Sequence, residues 1–334
     1  MTILVTGANG FIGSHICSEL FKHNVGFRRV LRKKLGDGDG DGDGNGNGNG
    51  NGNGNGNGND FFVHDISSSN DWHTALKDVE VVIHTAARVH IMKEDESDPL
   101  IEYRKVNVEG ILLLAEQAAA AGVCRFIFIS SIKVNGESTS NGLIFTPFQN
   151  NVPTDPYALS NYEAESRLKE IAKNTKMEIV IIRPPLVYGF GVKANFASLF
   201  SMVRRGFPLP FGLIRPNKRS MVSVYNLADL VVNFITNPMA PNQVFLVSDD
   251  EDLSTSDLVR YMAKALQKSP FLLLVPVWVF QLIGKLTCKT AVIDRLVGSL
   301  QVDISHTKKT LGWKPPFSVS ESLEFSVQLD NYNS

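Results

Sequence analysis

Gly7, Gly10 and Gly13 recur every three residues in Thr6-Gly7-Ala8-Asn9-Gly10-Phe11-Ile12-Gly13, directly behind the aliphatic run Ile3-Leu4-Val5. That spacing suits a pyrophosphate. One glycine allows a tight exit from a strand, a second lets backbone approach the phosphates, and a third lets the next helix pack closely. The N-terminus of such a helix adds free N–H groups and the positive end of its dipole. Phe11, Ile12, Ile16, Leu20 and Phe21 then recur at helical spacing. Strand, turn and helix arrive in the order that dinucleotide binding requires, and a plain structural turn is the weaker reading.

The elements that must position such a loop follow along the chain. Phe27–Leu31, Phe61–Val63, Val79–His84, Arg125–Ile129 and Ile179–Ile182 read as further strands. Helical stretches are expected between Pro99 and Ala121, with Asn107 on it, and from Tyr157 to Lys173. Strands alternating with helices imply an α/β fold, a doubly wound parallel sheet with right-handed crossovers. Ligands in such sheets sit beyond the C-terminal strand ends, where Thr6, Arg32, Asp65, Ala86 and Ser131 fall. The dinucleotide domain is expected over 1–183, and a mainly substrate-binding domain over 184–334. A strand at Val244–Val247 and a helix from Ser256 belong to the second.

Between the second and third strands the chain repeats Asp-Gly four times and Asn-Gly seven times. A segment over 36–59 with nothing to bury and maximal backbone entropy is expected to be a disordered insertion. Its start imitates a calcium loop, but Gly48 stands where the bidentate Glu belongs.

With 334 residues the chain can bury a large core, and a net charge of −1 gives no global field for nucleic acid. Cys17, Cys124 and Cys288 are odd in number and far apart, which fits a reducing cytoplasm, with Cys17 and Cys124 as packing residues. A secretory leader is not expected, because the chain enters its first strand at once. The apolar run Phe271–Ile283 contains Pro276 and is too short to span a bilayer. It reads as a core or surface-packing helix, with membrane contact as the alternative. The histidines show no metal-ligand spacing.

Thr6-Gly7-x-x-Gly10-x-x-Gly13, His84-x-Ala86-Ala87, Asn107-Val108-x-Gly110, Ser130-Ser131, Tyr157 opening a helix, and Arg183-Pro184-Pro185 stand in a fixed order. Together they resemble the extended short-chain dehydrogenase/reductases, the epimerase/dehydratase family acting on nucleotide sugars. Arg88-Val89-His90, Ser131-x-Lys133-Val134-Asn135-Gly136, Gly191-Val192-Lys193-x-Asn195-Phe196 and Arg295-Leu296 are similar to UDP-glucose 4-epimerase-like proteins of bacterial surface-polysaccharide clusters. Some of those relatives are 4-ketoreductases of the UDP-N-acetylquinovosamine type.

The resemblance implies hydride exchange at C4 of a UDP-sugar with NAD or NADP. Ser131 would hydrogen-bond the C4 oxygen and Tyr157 would exchange its proton. The cofactor would be held by Gly7, Gly10, Phe11, Ile12, Gly13, Arg32, Asp65, Ile66, Ala86, Ala87, Asn107, Tyr157, Asn161 and Pro184. The substrate would be held by Ser131, Lys133, Asn195, Arg219 and Arg295, the arginines on its diphosphate. Relatives often pair as homodimers through helices. His84 is expected to be a packing and hydrogen-bonding residue, not a base.

Two positions depart from the pattern. Asn161 stands where the family has the lysine that holds the ribose and lowers the tyrosine pKa. A neutral amide cannot lower it by charge, so activity is expected to be impaired, with Lys133 as the nearest substitute. A non-catalytic nucleotide-sugar-binding protein is the alternative. Arg32 ends the second strand where an Asp or Glu would hold a ribose 2′-hydroxyl, which favours NADP over NAD.

Overall fold

A computed structural model describes residues 1–32, 60–63, 66, 69–87, 98–139, 142–149, 151–287 and 290–332. The Asp-Gly/Asn-Gly repeat, Asp65, Arg88-Val89-His90 and Cys288 lie outside them, so the expectations placed there have no structural counterpart here.

Ten strands are described: β1 (Thr2–Thr6), β2 (Gly26–Arg32), β3 (Phe61–Val63), β4 (Val81–His84), β5 (Arg125–Ile129), β6 (Glu178–Arg183), β7 (Leu186–Tyr188), β8 (Arg219–Ser223), β9 (Gln243–Leu246) and β10 (Asp252–Leu253). The helices are α1 (Phe11–Lys22), α2 (His73–Leu76), α3 (Pro99–Arg104), α4 (Ile111–Ala120), α5 (Pro156–Asn174) and α6 (Ala194–Arg204). They continue with α7 (Val224–Thr236), α8 (Thr255–Ala265), α9 (Val277–Leu286), α10 (Thr290–Val297), α11 (Ser305–Leu311) and α12 (Val319–Tyr332).

The large sheet has the order β3-β2-β1-β4-β5-β6-β9, with β1 parallel to β2 and β4, β2 parallel to β3, and β4 parallel to β5. This is the expected doubly wound α/β fold. Ile3, Leu4, Val5, Val82, Ile83, Phe126, Ile127 and Phe128 are fully buried, as strands covered on both faces must be. The strand expected near Val244 is β9, the seventh strand of this sheet. A second sheet, β10-β8-β7, has three strands.

Two compact units interleave along the chain. The first takes 1–129, 154–181 and 234–243, and the second takes 130–153, 182–233 and 244–334. A single boundary after 183 is therefore replaced by several crossings. Within the second unit Tyr188, Phe196, Met221, Val259, Met262, Val319 and Leu323 form a core of their own.

The helix expected from Pro99 to Ala121 is one run with a flaw. Between α3 and α4 it widens into a π turn over Lys105–Gly110, which contains Asn107. Such single turns accommodate an extra residue and re-aim side chains. Cys17 is buried as expected, whereas Cys124 is exposed, because it sits on the surface connection into β5. Among the described residues no helix is long and apolar enough to cross a membrane.

Candidate functional site

In the first unit the glycine loop has the geometry its spacing implies. Gly7 adopts φ 68°, and a Cβ there would lie 2.8 Å from the Ala86 backbone nitrogen. A Cβ on Gly13 would lie 2.2 Å from the Gly7 carbonyl oxygen, which leaves no room for any side chain. Thr85 Oγ1 donates to the Thr6 carbonyl at 2.7 Å, tying the β4 exit to the β1 exit. Gly10 is the N-cap of α1, contributes no side-chain cap, and is followed by a first turn without acidic residues. These features fit a dinucleotide: an uncapped, neutral helix N-terminus opens at the C-terminal end of β1.

Around that loop, Ala86 and Ala87 follow β4, and Arg32 is the exposed last residue of β2. Ile66 is buried, and its carbonyl would be 2.8 Å from a Cβ on Gly110, so the glycine of Asn107-Val108-x-Gly110 admits this backbone. His84 is fully buried. The Thr6 hydroxyl lies 2.8 Å from its Nδ1, and its ring packs against Phe126 and Phe128. Burial pushes its pKa down to about 4, so it is neutral near pH 7. The packing role expected for it holds.

Helix α5 carries the candidate tyrosine. Asp155 caps it by accepting from the Ala158 N–H at 2.9 Å, and Pro156 follows at the first helical position. Tyr157 packs edge-on against the buried Tyr103 at 5.7 Å. One turn on, Asn161 is 1% exposed, and its Nδ2 donates to the Tyr157 carbonyl at 3.1 Å. Ser160 Oγ donates to the same carbonyl at 2.8 Å and lies 3.3 Å from Asn107 Nδ2. The π turn thus places Asn107 against the helix that bears Tyr157.

In the second unit Ser131 opens a short 3₁₀ turn, accepting from the Lys133 N–H at 3.3 Å. Pro184 accepts from the Ile132 N–H at 3.0 Å. Lys133 Nζ lies 3.0 Å from Glu137, and Arg295 lies 3.8 Å from the same carboxylate. Arg219 donates to the Arg295 carbonyl at 2.7 Å, and burial together with the Arg295 charge lowers its pKa. Three of the predicted substrate residues, Lys133, Arg219 and Arg295, are therefore brought together. Asn195 is exposed in the first turn of α6.

Sequence reasoning missed Glu137, the acid that gathers Lys133 and Arg295. Its i, i+4 spacing from Lys133 was the available signal. It also gave no partner for Arg183, which is 1% exposed and donates to Asn135 Oδ1 at 2.9 Å. Asn135 in turn donates to the Thr146 carbonyl at 2.8 Å. Asn135 thus serves a buried guanidinium.

A doubly wound sheet, an uncapped glycine-rich helix start at its C-terminal edge and a Tyr157-bearing helix define a nicotinamide-dinucleotide-binding α/β protein. The chain matches the NAD dependent epimerase/dehydratase family over residues 3–247 and belongs to it. It is 48% identical over 328 residues, 98% of this chain and 94% of the relative, to a UDP-glucose 4-epimerase of Vibrio cholerae. It is 25% identical over 285 residues to the Escherichia coli O157:H7 N-acetyl-alpha-D-glucosaminyl-diphospho-ditrans,octacis-undecaprenol 4-epimerase, covering 80% and 82% of the two chains. The fold is shared with a UDP-glucose 4-epimerase from Thermotoga maritima solved with UDP-glucose, at TM-score 0.73 and 22% identity, covering 100% and 99%. It is shared also with a UDP-glucuronic acid 4-epimerase from Bacillus cereus in complex with NAD, at TM-score 0.70 and 21% identity, covering 98% and 96%.

Proposed function

We propose that this chain is an NAD(P)-dependent 4-epimerase of a UDP-linked sugar, serving surface-polysaccharide synthesis in the cytoplasm. The observation that carries it is the near full-length 48% identity to a UDP-glucose 4-epimerase. The family match supports the nicotinamide cofactor. When bound, that group accepts and returns a hydride at C4.

The chain's own residues do the rest. The first turn of α1 meets the pyrophosphate through its N–H groups, and Arg32 faces the adenosine ribose, with a 2′-phosphate tolerated there. Ser131 hydrogen-bonds the C4 oxygen, and Tyr157 exchanges its proton. Lys133, Arg219 and Arg295 supply positive charge to the diphosphate, and Asn195 adds a neutral contact. Asn161 replaces a charge with an amide, so Tyr157 works without a helical-turn cation and turnover is slow. A second copy of the chain joins through a helix pair, as in relatives.

One observation favours a second reading. The Asn161 amide is buried and spent on the Tyr157 carbonyl, which suits a nucleotide-sugar-binding protein that no longer turns over. Purified protein is denatured, the released dinucleotide is identified by mass, and interconversion of UDP-glucose and UDP-galactose, with their N-acetylated counterparts, is followed. Interconversion that is lost in Tyr157→Phe supports the epimerase. Bound dinucleotide with no turnover of any UDP-sugar refutes it in favour of the binding protein.

A further inference from the structure

The stretch expected to be a core or surface-packing helix leaves most of its apolar surface uncovered. Phe271, Leu274, Trp278, Leu282, Leu286 and Val292 are between 49% and 76% exposed. Trp278, Leu282 and Leu286 recur at i, i+4 and i+8 on α9, so they share one face of the helix. The opposite face is the packed one: Phe280 is buried against Phe211, and Gly284 lets α9 close on Ile293 of α10. Single exposed apolar residues need no explanation, but three large ones on one helix face, with Phe271, Leu274 and Val292 also exposed nearby in sequence, mark an interaction surface.

Charge selects the occupant. Residues 258–293 contain no Asp or Glu but five cations, Arg260, Lys264, Lys268, Lys285 and Lys289, in a chain of net charge −1. The cations on and just after α8 turn elsewhere, Arg260 to Asp257, Lys264 to Ser320 and Lys268 to the Arg204 carbonyl. Lys285 instead sits exposed in the last turn of α9, and Asp294 follows the run on α10. Two copies meeting through α9 would bring Lys285 to the contact with no carboxylate on α9 to offset it. Anionic headgroups offset it directly. An aliphatic face with a tryptophan and flanking lysines is the composition of a helix lying in a membrane interface.

We propose that the Trp278, Leu282 and Leu286 face of α9 docks the protein on an anionic lipid bilayer as a peripheral contact. Its helix is too short to span, and it lies in the headgroup region with Trp278 at the boundary.

The full-length protein is mixed with vesicles of phosphatidylglycerol and phosphatidylethanolamine, or of phosphatidylcholine alone, and bound protein is separated by flotation. Binding to the anionic vesicles that falls with added salt is expected, with little binding to phosphatidylcholine. Lys285→Gln should weaken it about fivefold, the effect of one cation near an anionic surface. Leu282→Glu with Leu286→Glu should abolish it while leaving the thermal midpoint unchanged. In the wild type, brominated acyl chains should quench tryptophan emission, and this reports Trp278 because Trp72 and Trp313 are buried. Absence of binding to anionic vesicles at low salt overturns the proposal, as does binding that survives the double glutamate variant. A dimer that the same variant dissociates, without vesicle binding by the wild type, overturns it in favour of a second copy.

Discussion

Replacing Asn161 with lysine tests the proposed chemistry at its weakest point. The Asn161 amide already reaches the Tyr157 carbonyl at 3.1 Å, so a side chain there lies on the face of α5 that carries Tyr157. Residues one turn apart are neighbours, and a new ammonium about 6 Å from the phenol at an effective dielectric of about 20 contributes roughly 3 kcal/mol. That is about two pKa units, which moves an ordinary phenol from about 10 toward 8 and raises its ionised fraction near pH 7 about a hundredfold. The position is 1% exposed, so part of this gain goes to desolvating the new charge.

The assay is kcat for UDP-glucose and UDP-galactose interconversion across pH 5 to 10. Asn161→Lys should raise kcat at pH 7 by ten- to a hundredfold and shift the acidic limb, where activity rises as Tyr157 ionises, to lower pH. Asn161→Met matches the length without the charge and should give no gain. Tyr157→Phe should abolish turnover in both backgrounds. If the wild type already turns over at about 1–1000 per second, and Asn161→Lys leaves the pH profile unmoved, the reasoning fails. Tyr157 is then activated by another group, and Lys133 is the first to test.

Three further outcomes follow from the geometry. Arg32→Ala should weaken NADP binding about tenfold or more while changing NAD binding little, since only NADP carries a 2′-phosphate, and equal losses in titration calorimetry would remove Arg32 from that role. Gly13→Ala would put a methyl 2.2 Å from the Gly7 carbonyl, so the loop must shift. About 1–3 kcal/mol of stability and co-purified dinucleotide should be lost together, and a variant that keeps both would refute the close packing. Stability against pH should show two opposed slopes. Burial raises Asp249 from 3.8 to about 6, so the folded chain holds a proton the unfolded chain has lost, and stability falls as pH rises from about 4 to 6. Burial lowers His84 from 6.5 to about 4, so the unfolded chain holds the extra proton, and stability falls as pH drops from about 6.5 to 4. Each amounts to roughly 3 kcal/mol, so the wild-type profile is nearly flat there. In urea titrations Asp249→Asn should expose the His84 slope and His84→Gln the opposite one, and variant profiles parallel to the wild type would contradict both.

Much of the fold was legible because local signals and tertiary placement agree. Ile3-Leu4-Val5, the three glycines and the periodic α1 are contiguous, so strand, loop and helix follow from short-range spacing alone. What escaped depends on partners distant in sequence. The π turn at Asn107 leaves no local mark, since its residues suit an ordinary helix, and it shows only where Asn107 meets Ser160 on α5. Val244–Val247 reads as a strand from its apolar run, yet nothing local says which sheet receives it.

The candidate site divides on the same line. Gly7, Gly10 and Gly13 could be assigned tasks because backbone geometry constrains residue type. Arg219 and Arg295 were assigned to a diphosphate by resemblance alone, because an arginine suits any exposed position, and only the fold sets one guanidinium on the other's carbonyl. Glu137 matters for a similar reason. It offsets Lys133 and Arg295 with a single negative charge, so the cluster of Lys133, Arg219 and Arg295 keeps an excess of positive charge. A doubly charged diphosphate would complete that balance where one carboxylate leaves it short. On this argument Glu137→Gln should tighten UDP binding, and the gain should shrink as salt screens the cluster. UDP affinity in the variant unchanged at low salt would separate these three cations from the diphosphate.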